Sequence, residues 1–338
     1  MRKRYLIDKI CFFILFVVVA FFSIKIVVYL KSDIYALRKK GYKTSELNAI
    51  KENLTKDNIK LLTKYKYNPY VLKIVADSNY KKKKFKDYIE FYDGYKYSYN
   101  SKFILIVNDK FYVKGNKKRY IKYANSNTDY EIRNIVSDIN CNLDYKYYEK
   151  DIKTDISKEK LMIVNKYYNL DKEYTPSNLV KIDSEYGVNK YIQKEVYDAF
   201  IEMNNDMKKN GLSLIFTSAY RDYEDQEKIY NNYKREKGKD YADKYAARAG
   251  YSEHQTGYAI DVASKNYPEK SFVYTKEYDW LKDNSYKYGF ILRYQKEFEK
   301  QTGYNSESWH YRYVGKKAAK KIYDNNITFD EYYEYYVK

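Results

Sequence analysis

Two histidines, His254 and His310, are the only imidazoles in the 338-residue chain, and both stand beside carboxylates. The first lies in Ser252-Glu253-His254-Gln255-Thr256-Gly257-Tyr258-Ala259-Ile260-Asp261, the second in Glu307-Ser308-Trp309-His310. Imidazole nitrogen and carboxylate oxygen are zinc donors, and a hydrolytic zinc site takes three protein ligands and leaves a fourth position open. His254, Asp261 and His310 supply N, O and N. Glu307, three residues before His310, then lies near the metal without being needed as a ligand, which is the place for a general base. Each residue also has an ordinary reading: a hydrogen-bonded histidine, or a Glu307/His310 pair spaced i,i+3 on a helix.

Taken in order, these motifs resemble the VanY-type D-alanyl-D-alanine carboxypeptidases of the zinc D,D-peptidase group. Further matches are Ser218-Ala219-Tyr220-Arg221 with Gln226, the string from Tyr288 to Tyr294, Thr302-Gly303-Tyr304, and His310-Tyr311-Arg312-Tyr313-Val314-Gly315. The resemblance covers about the last 180 residues, the size of one ordinary domain. It implies one Zn2+ per chain, held by His254, Asp261 and His310, with Glu307 as catalytic base. Arg221 corresponds to the arginine that stabilises the oxyanion and helps hold the substrate, with Ser252, Tyr220, Gln226 and Trp309 as further substrate contacts. The sequence departs from the pattern at Asp222, where serine is common, and at Ser308, where proline is frequent. Both departures bear on substrate detail more than on chemistry.

The activity implied is removal of the terminal D-Ala from peptidoglycan stem peptides by metal-activated water. Two other readings stay open: an endopeptidase cutting a stem or cross-link bond, and a wall-binding protein with a non-catalytic metal site. A structural zinc site is normally closed by four protein ligands, and no third histidine or suitable cysteine is at hand. The chain contains no H-E-x-x-H helix, C-x-x-C pair, G-x-x-x-x-G-K loop or G-x-S-x-G elbow.

These side chains need elements to carry them. A strand over 212–217 ends beside Ser218 and Arg221, after a helix over 188–209. Helices over 225–237 and 241–249 precede the first metal motif. Apolar alternation over 257–262 reads as a strand projecting Asp261, with a turn at Thr256-Gly257 returning to His254. A helix over 280–288 and strands over 290–294 and 311–314 complete the set. The fold class expected is α+β: an antiparallel sheet with surrounding helices and an open zinc cleft, of the D,D-peptidase/hedgehog-like kind that the resemblance implies.

The catalytic domain is placed at 156–338 and a basic accessory region at 34–155. In the latter, Leu47, Ile50, Leu54, Ile59, Leu61 and Leu62 have helical spacing, with Ser45 and Thr55 as N-caps. The runs 103–107 and 111–113, separated by Asn108-Asp109, read as a hairpin. The accessory region is therefore expected to be a small mixed α/β module. No internal repeat is apparent.

Residues 10–30 form an apolar run broken by Ser23 and Lys25, and about 20 residues span a hydrocarbon core. Arg2, Lys3, Arg4 and Lys9 precede it, which favours a cytoplasmic N-terminus and an exported bulk. The expectation is a single-pass anchor over 1–33 in a Gram-positive-like envelope, in preference to a cleaved signal peptide, because no A-x-A-like site follows. Cys11 and Cys141 form no disulfide framework.

The net charge of +18 is uneven: 34–155 carry 27 basic and 15 acidic residues, against 31 and 29 in 156–338. Lys81-Lys82-Lys83-Lys84 and Lys117-Lys118-Arg119 lie in that excess. Together with the expected anchor, it points to anionic wall polymers or lipid head groups as partners of 34–155, and away from nucleic acid.

Overall fold

The computed structural model describes residues 2–187 and 190–338, with side chains from residue 12 onward. Val188, where a helix was expected to begin, and the Cys11 side chain lie outside the described residues. The chain divides into two compact units, Met1–Val136 and Ser137–Lys338.

The first unit is helical throughout its described residues. It runs α1 Arg2–Leu30, α2 Asp33–Lys39, α3 Thr44–Asn53, α4 Lys56–Leu62, α5 Val71–Ala76, α6 Phe85–Tyr92, α7 Lys102–Asn108 and α8 Lys117–Ser126. A further helix, α9 Ile132–Asn140, crosses the division between the units. Over Phe12–Leu30, α1 has a mean hydropathy of 2.7 and no burial, so it is long and apolar enough to cross a membrane. An anchor and a signal sequence share those features. Thr55 caps α4 by accepting from the Asn58 N–H, whereas Ser45 lies inside α3. The expected hairpin is replaced by α7, because Phe103, Ile104, Ile106 and Val107 are all fully buried and an apolar run enclosed on several sides carries no strand alternation. The module is therefore all-helical among the described residues, not mixed α/β.

A repeat of 32 residues also emerges, contrary to the sequence reading. Asn68 Oδ1 accepts from the Tyr70 N–H at 2.9 Å, and Asn100 Oδ1 from the Lys102 N–H at 3.0 Å. Asp77 Oδ1 accepts from the Asn79 N–H at 2.9 Å, and Asp109 Oδ1 from the Phe111 N–H at 2.8 Å. The Tyr88 hydroxyl accepts from the Lys81 N–H and the Tyr120 hydroxyl from the Val113 N–H, each at 3.2 Å. The Tyr80/Tyr88 and Tyr112/Tyr120 ring pairs both have centroids 5.7 Å apart. Residues 68–99 and 100–131 are thus two copies of one helix-loop-helix unit. Core substitutions such as Tyr92 against Ala124 conceal the period in sequence.

The second unit holds β1 Ile152–Lys153, β2 Tyr168–Asn169, β3 Leu179–Lys181, β4 Tyr191–Gln193, α10 Lys194–Lys208, β5 Leu214–Ser218, α11 Tyr223–Lys237 and α12 Lys239–Tyr245. It continues with β6 Ala259–Ser264, α13 Lys276–Asn284, β7 Phe290–Tyr294, α14 Glu299–Thr302, β8 Glu307–Tyr313, α15 Lys316–Asn325 and α16 Phe329–Tyr336. Its main sheet is antiparallel in the order β5-β6-β8-β7.

Alternation along the strands divides the sheet into two faces. Leu214, Phe216, Ile260, Val262, Phe290 and Tyr311 enter an apolar core with Val196, Phe200 and Met203 of α10 and Leu281 of α13. By register, Ser218, Asp261, His310 and Arg312 share the opposite face. Ile291, the β7 partner of Arg312, joins a second core with Ala318, Ala319 and Ile322 of α15 and Phe329 and Tyr333 of α16. One face is thus fixed by apolar burial, and the polar residues of the motifs fall together on the other. Cys141 is buried, and burial pushes its thiol well above the ordinary value.

Candidate metal centre and active site

Asp261 of β6 and His310 of β8 are direct register partners. His254 arrives by a different route, on a 3-10 turn over Glu253–Thr256 whose first backbone donor is capped by Ser252 Oγ, accepting from the His254 N–H at 3.3 Å. Gly257 closes that turn at φ +71°, and a Cβ there would lie 3.1 Å from both Gln193 Cγ and Leu179 Cδ2. Left-handed backbone and close packing both require glycine, and the reversal feeds the chain into β6 so that Asp261 returns to His254.

One donor atom from each of His254, Asp261 and His310 lies within 4.8 Å of the others. Asp261 Oδ2 is 3.3 Å from His254 Nε2 and Oδ1 is 3.0 Å from His310 Nδ1. The other ring nitrogens are committed elsewhere. His254 Nδ1 is 2.7 Å from the Ala219 carbonyl, which can only accept, so Nδ1 carries the hydrogen and Nε2 keeps its lone pair. His310 Nε2 is 3.3 Å from Glu253 Oε2, leaving Nδ1 toward Asp261. Two imidazole lone pairs and a carboxylate thus converge at one buried point, a donor set that fits Zn2+.

The electrostatics agree with that fit. Burial alone would lower His310, but hydrogen bonds to Asp261 and Glu253 and the charges of Asp261 and Glu307 outweigh it and push His310 up to about 10. Burial raises Asp261, yet His254 and His310 hold its carboxyl well below the usual range. The point where the three side chains meet therefore favours positive charge.

Glu307 Oε2 is 3.8 Å from His310 Nδ1. Both residues lie on β8, not on a helix. In a regular strand residues three apart face opposite sides, but the β7–β8 register shifts between Leu292 and Tyr294, where Tyr294 pairs with Glu307 and Leu292 with Tyr311. The bulge leaves extra β8 residues between these pairs and lets Glu307 and His310 approach. Burial pushes the Glu307 carboxyl up to about 7, with His310 and Arg221 opposing the rise and Asp261 and Glu253 adding to it.

Arg221 follows β5 and is held at three points. Nη1 donates to Gln226 Oε1 at 2.6 Å, Nη2 to Ser218 Oγ at 2.9 Å, and its backbone N–H to the His254 carbonyl at 3.2 Å. Gln226 is 2% exposed and also donates to the Ala247 carbonyl at 2.7 Å. Gln226 and Ser252 therefore support Arg221 and the His254 turn from within the fold. Tyr220 is half-buried, and Trp309, beside His310, is 42% exposed.

Glu253, next to His254 in the first motif, is a residue that sequence reasoning missed. It is fully enclosed and bridges His310 to Arg293, accepting from Arg293 Nε at 2.8 Å. The one sequence signal for it was chemical: a ligating histidine needs an acceptor for its second nitrogen.

An antiparallel sheet presenting two imidazoles, a carboxylate between them, an adjacent carboxylate and a fixed guanidinium has the groups that metallohydrolase chemistry requires. Residues 189–316 match the family model of VanY, D-alanyl-D-alanine carboxypeptidase. YodJ of Bacillus subtilis (strain 168), named a carboxypeptidase, is 44% identical over 182 residues, covering 52% of this chain and 67% of that protein. A D-alanyl-D-alanine carboxypeptidase of Enterococcus faecium is 35% identical over 185 residues, covering 52% of this chain and 57% of the relative. The solved structure of the LdcB LD-carboxypeptidase, which concerns peptidoglycan recognition, matches with 42% identity and a TM-score of 0.51, over 56% of this chain and 95% of that one. The chain belongs to the VanY family and is a carboxypeptidase-type enzyme.

Proposed function

We propose that the chain is a zinc carboxypeptidase that removes the terminal D-Ala from peptidoglycan stem peptides. The observation that carries this reading is the meeting of His254, Asp261 and His310 within 4.8 Å, with Glu307 3.8 Å from His310. Zinc, when bound, supplies Lewis-acid polarisation and lowers the pKa of water. Glu307 takes the proton of the attacking water and delivers it to the leaving amine. Arg221, locked by Gln226 and Ser218, faces the negative charge that develops on the scissile carbonyl oxygen. Tyr220 and Trp309 keep surface for substrate contact.

A second reading is L,D-carboxypeptidase activity, favoured by the 42% identity to LdcB over nearly all of that chain. The test incubates the full chain in detergent with a D-Ala-D-Ala pentapeptide, a tetrapeptide ending in one D-Ala, and a cross-linked dimer, with and without chelator. Chelator-sensitive D-Ala release from the pentapeptide supports the D,D reading, and release from the tetrapeptide alone supports L,D. Cleavage of the dimer alone indicates an endopeptidase, and no turnover with zinc bound and the fold intact leaves a wall-binding protein.

The accompanying proposal of place is a single-pass anchor with the enzyme outside the membrane. It rests on the apolar α1 and the basic residues before it. The helical unit that follows is proposed to bind anionic wall polymer. Residues 33–136 carry 24 Lys/Arg against 11 Asp/Glu, whereas 137–338 carry 34 of each.

A further inference from the structure

Beneath His310 lies a continuous line of buried, oppositely charged groups that ends on α16. Glu253 Oε2 faces His310 Nε2 at 3.3 Å, and Oε1 accepts from Arg293 Nε at 2.8 Å. Arg293 Nη1 donates to Asp330 Oδ2 at 2.7 Å, and Asp330 Oδ1 accepts from Asn165 Nδ2 at 2.7 Å. Asn165 Oδ1 accepts the Tyr167 and Tyr168 backbone N–H groups at 2.9 and 3.0 Å. Glu253, Arg293 and Asp330 are 2%, 3% and 5% exposed, so water competes for none of these bonds. Asp330 is fixed in turn, because Thr328 and Glu331 form a capping box at the start of α16.

A carboxylate that only balanced Arg293 would have no reason to reach the imidazole. Glu253 instead divides its two oxygens, one to the guanidinium and one to the ring. The Nε2–H of His310 has no other acceptor among the described residues, so this bond sets which nitrogen carries the hydrogen and how the ring is turned. We infer that Glu253 is a positioning residue for the metal ligand His310, and that Arg293 and Asp330 make α16 part of the metal site. The inference rests on the zinc reading for its consequence but not for its geometry.

The chain has only two histidines, so an imidazole 15N spectrum of the metal-free protein contains two ring systems. In the unaltered chain His310 should carry hydrogen on Nε2, whether as the neutral Nε2–H tautomer or doubly protonated. In Glu253→Gln, whose amide oxygen can still accept from Arg293 while Arg293 keeps its pair with Asp330, the NH2 group faces His310 Nε2 and the ring should lose that preference. Zinc affinity, read by chelator competition, should fall about 10- to 100-fold while the metal-free melting temperature stays near that of the unaltered chain. Asp330→Asn should give a smaller loss in the same direction, and Glu253→Asp should recover part of it. An unchanged His310 spectrum and a zinc affinity within twofold in Glu253→Gln would overturn the inference. Absence of zinc binding by the unaltered chain would instead overturn the zinc reading, with the spectral comparison still deciding the role of Glu253.

Discussion

Among the described residues, Glu307 makes one ion pair, to His310 at 3.8 Å, while Asp261 bridges both histidines and Glu253 bridges His310 and Arg293. The two bridging carboxylates are fixed by their partners, and Glu307 is the one left able to exchange a proton. Glu307→Gln should therefore retain stoichiometric zinc and lose about 10²- to 10⁴-fold in turnover, checked by metal analysis beside D-Ala release. His254→Ala or His310→Ala should lose the metal itself. Lys166 allows a second prediction at this scale. It is 2% exposed, donates to the Asp243 carbonyl, and packs 4.0 Å from the Tyr304 ring. Burial lowers it to about 8, with Asp243 opposing that shift and Arg248 adding to it. Between pH 8 and about 10.4 the unfolded chain holds this proton and the folded chain does not, so the contribution of Lys166 to stability should rise with pH across that window. The urea midpoint of the unaltered chain relative to that of Lys166→Met should rise from ~pH 7.5 to ~9.5, a difference in which the opposing shifts of His310 and Cys141 cancel because both chains share them. The candidate ligands His254, Asp261 and His310 were legible because each sits in a short motif. Glu253 was not, because its partners His310, Arg293 and, through the latter, Asp330 are 40 or more residues away and only the fold assembles them.

The strand over 290–294 coincides with β7, and the strand carrying Asp261 is the expected one begun two residues later, at Ala259. Alternation marks β6, whose Ile260 and Val262 enter the core, whereas β7 is a short apolar run after Gly289 with Phe290 in one core and Ile291 in the other. The β8 strand was expected from 311 but begins at Glu307, because its bulge breaks the alternation between Glu307 and His310. The 103–107 run failed as a strand for the converse reason: a short apolar run enclosed on all sides gives no period to read. Turn chemistry was more reliable, and it supports a prediction. Gly257→Ala places a side chain at φ +71° and 3.1 Å from two carbon atoms. Backbone strain alone costs about 1–2 kcal/mol, and the strained turn carries His254 at one end and Asp261 beyond the other. The variant should melt lower and also bind zinc more weakly, whereas Gly115→Ala, at a position open in space and with ordinary φ, should do neither.

At the scale of the whole molecule the two units differ most in charge. The enzyme unit is balanced, with 34 Lys/Arg and 34 Asp/Glu over 137–338, and the excess lies in the helical unit and in the residues before it. The 32-residue repeat gives that excess an arrangement. Lys81-Lys82-Lys83-Lys84 and the 113–116 segment occupy equivalent turns of successive copies, and Lys86 and Lys118 are equivalent positions one residue into the following helices. Two lysines face inward, Lys84 toward the Val107 carbonyl and Lys117 toward the Glu90 and Asp93 carbonyls, so the runs also close helix ends. Lys81, Lys82, Lys83, Lys86 and Lys118 remain exposed. A phosphate-rich linear polymer meeting such an edge releases counterions as it binds, so affinity should fall steeply with salt. The full chain in zwitterionic nanodiscs should bind poly(glycerol phosphate) at low salt and lose most of that binding at ~0.5 M salt, where screening is within ~5 Å. Glutamine at Lys82, Lys83, Lys86 and Lys118 should weaken binding at least tenfold, and glutamine at Lys51, Lys56, Lys60 and Lys64, an equal change of net charge, should weaken it much less. Equal losses in the two variants would mean that bulk charge and not the repeated edge governs binding. Binding to anionic nanodiscs without binding to the polymer would transfer the role to lipid head groups.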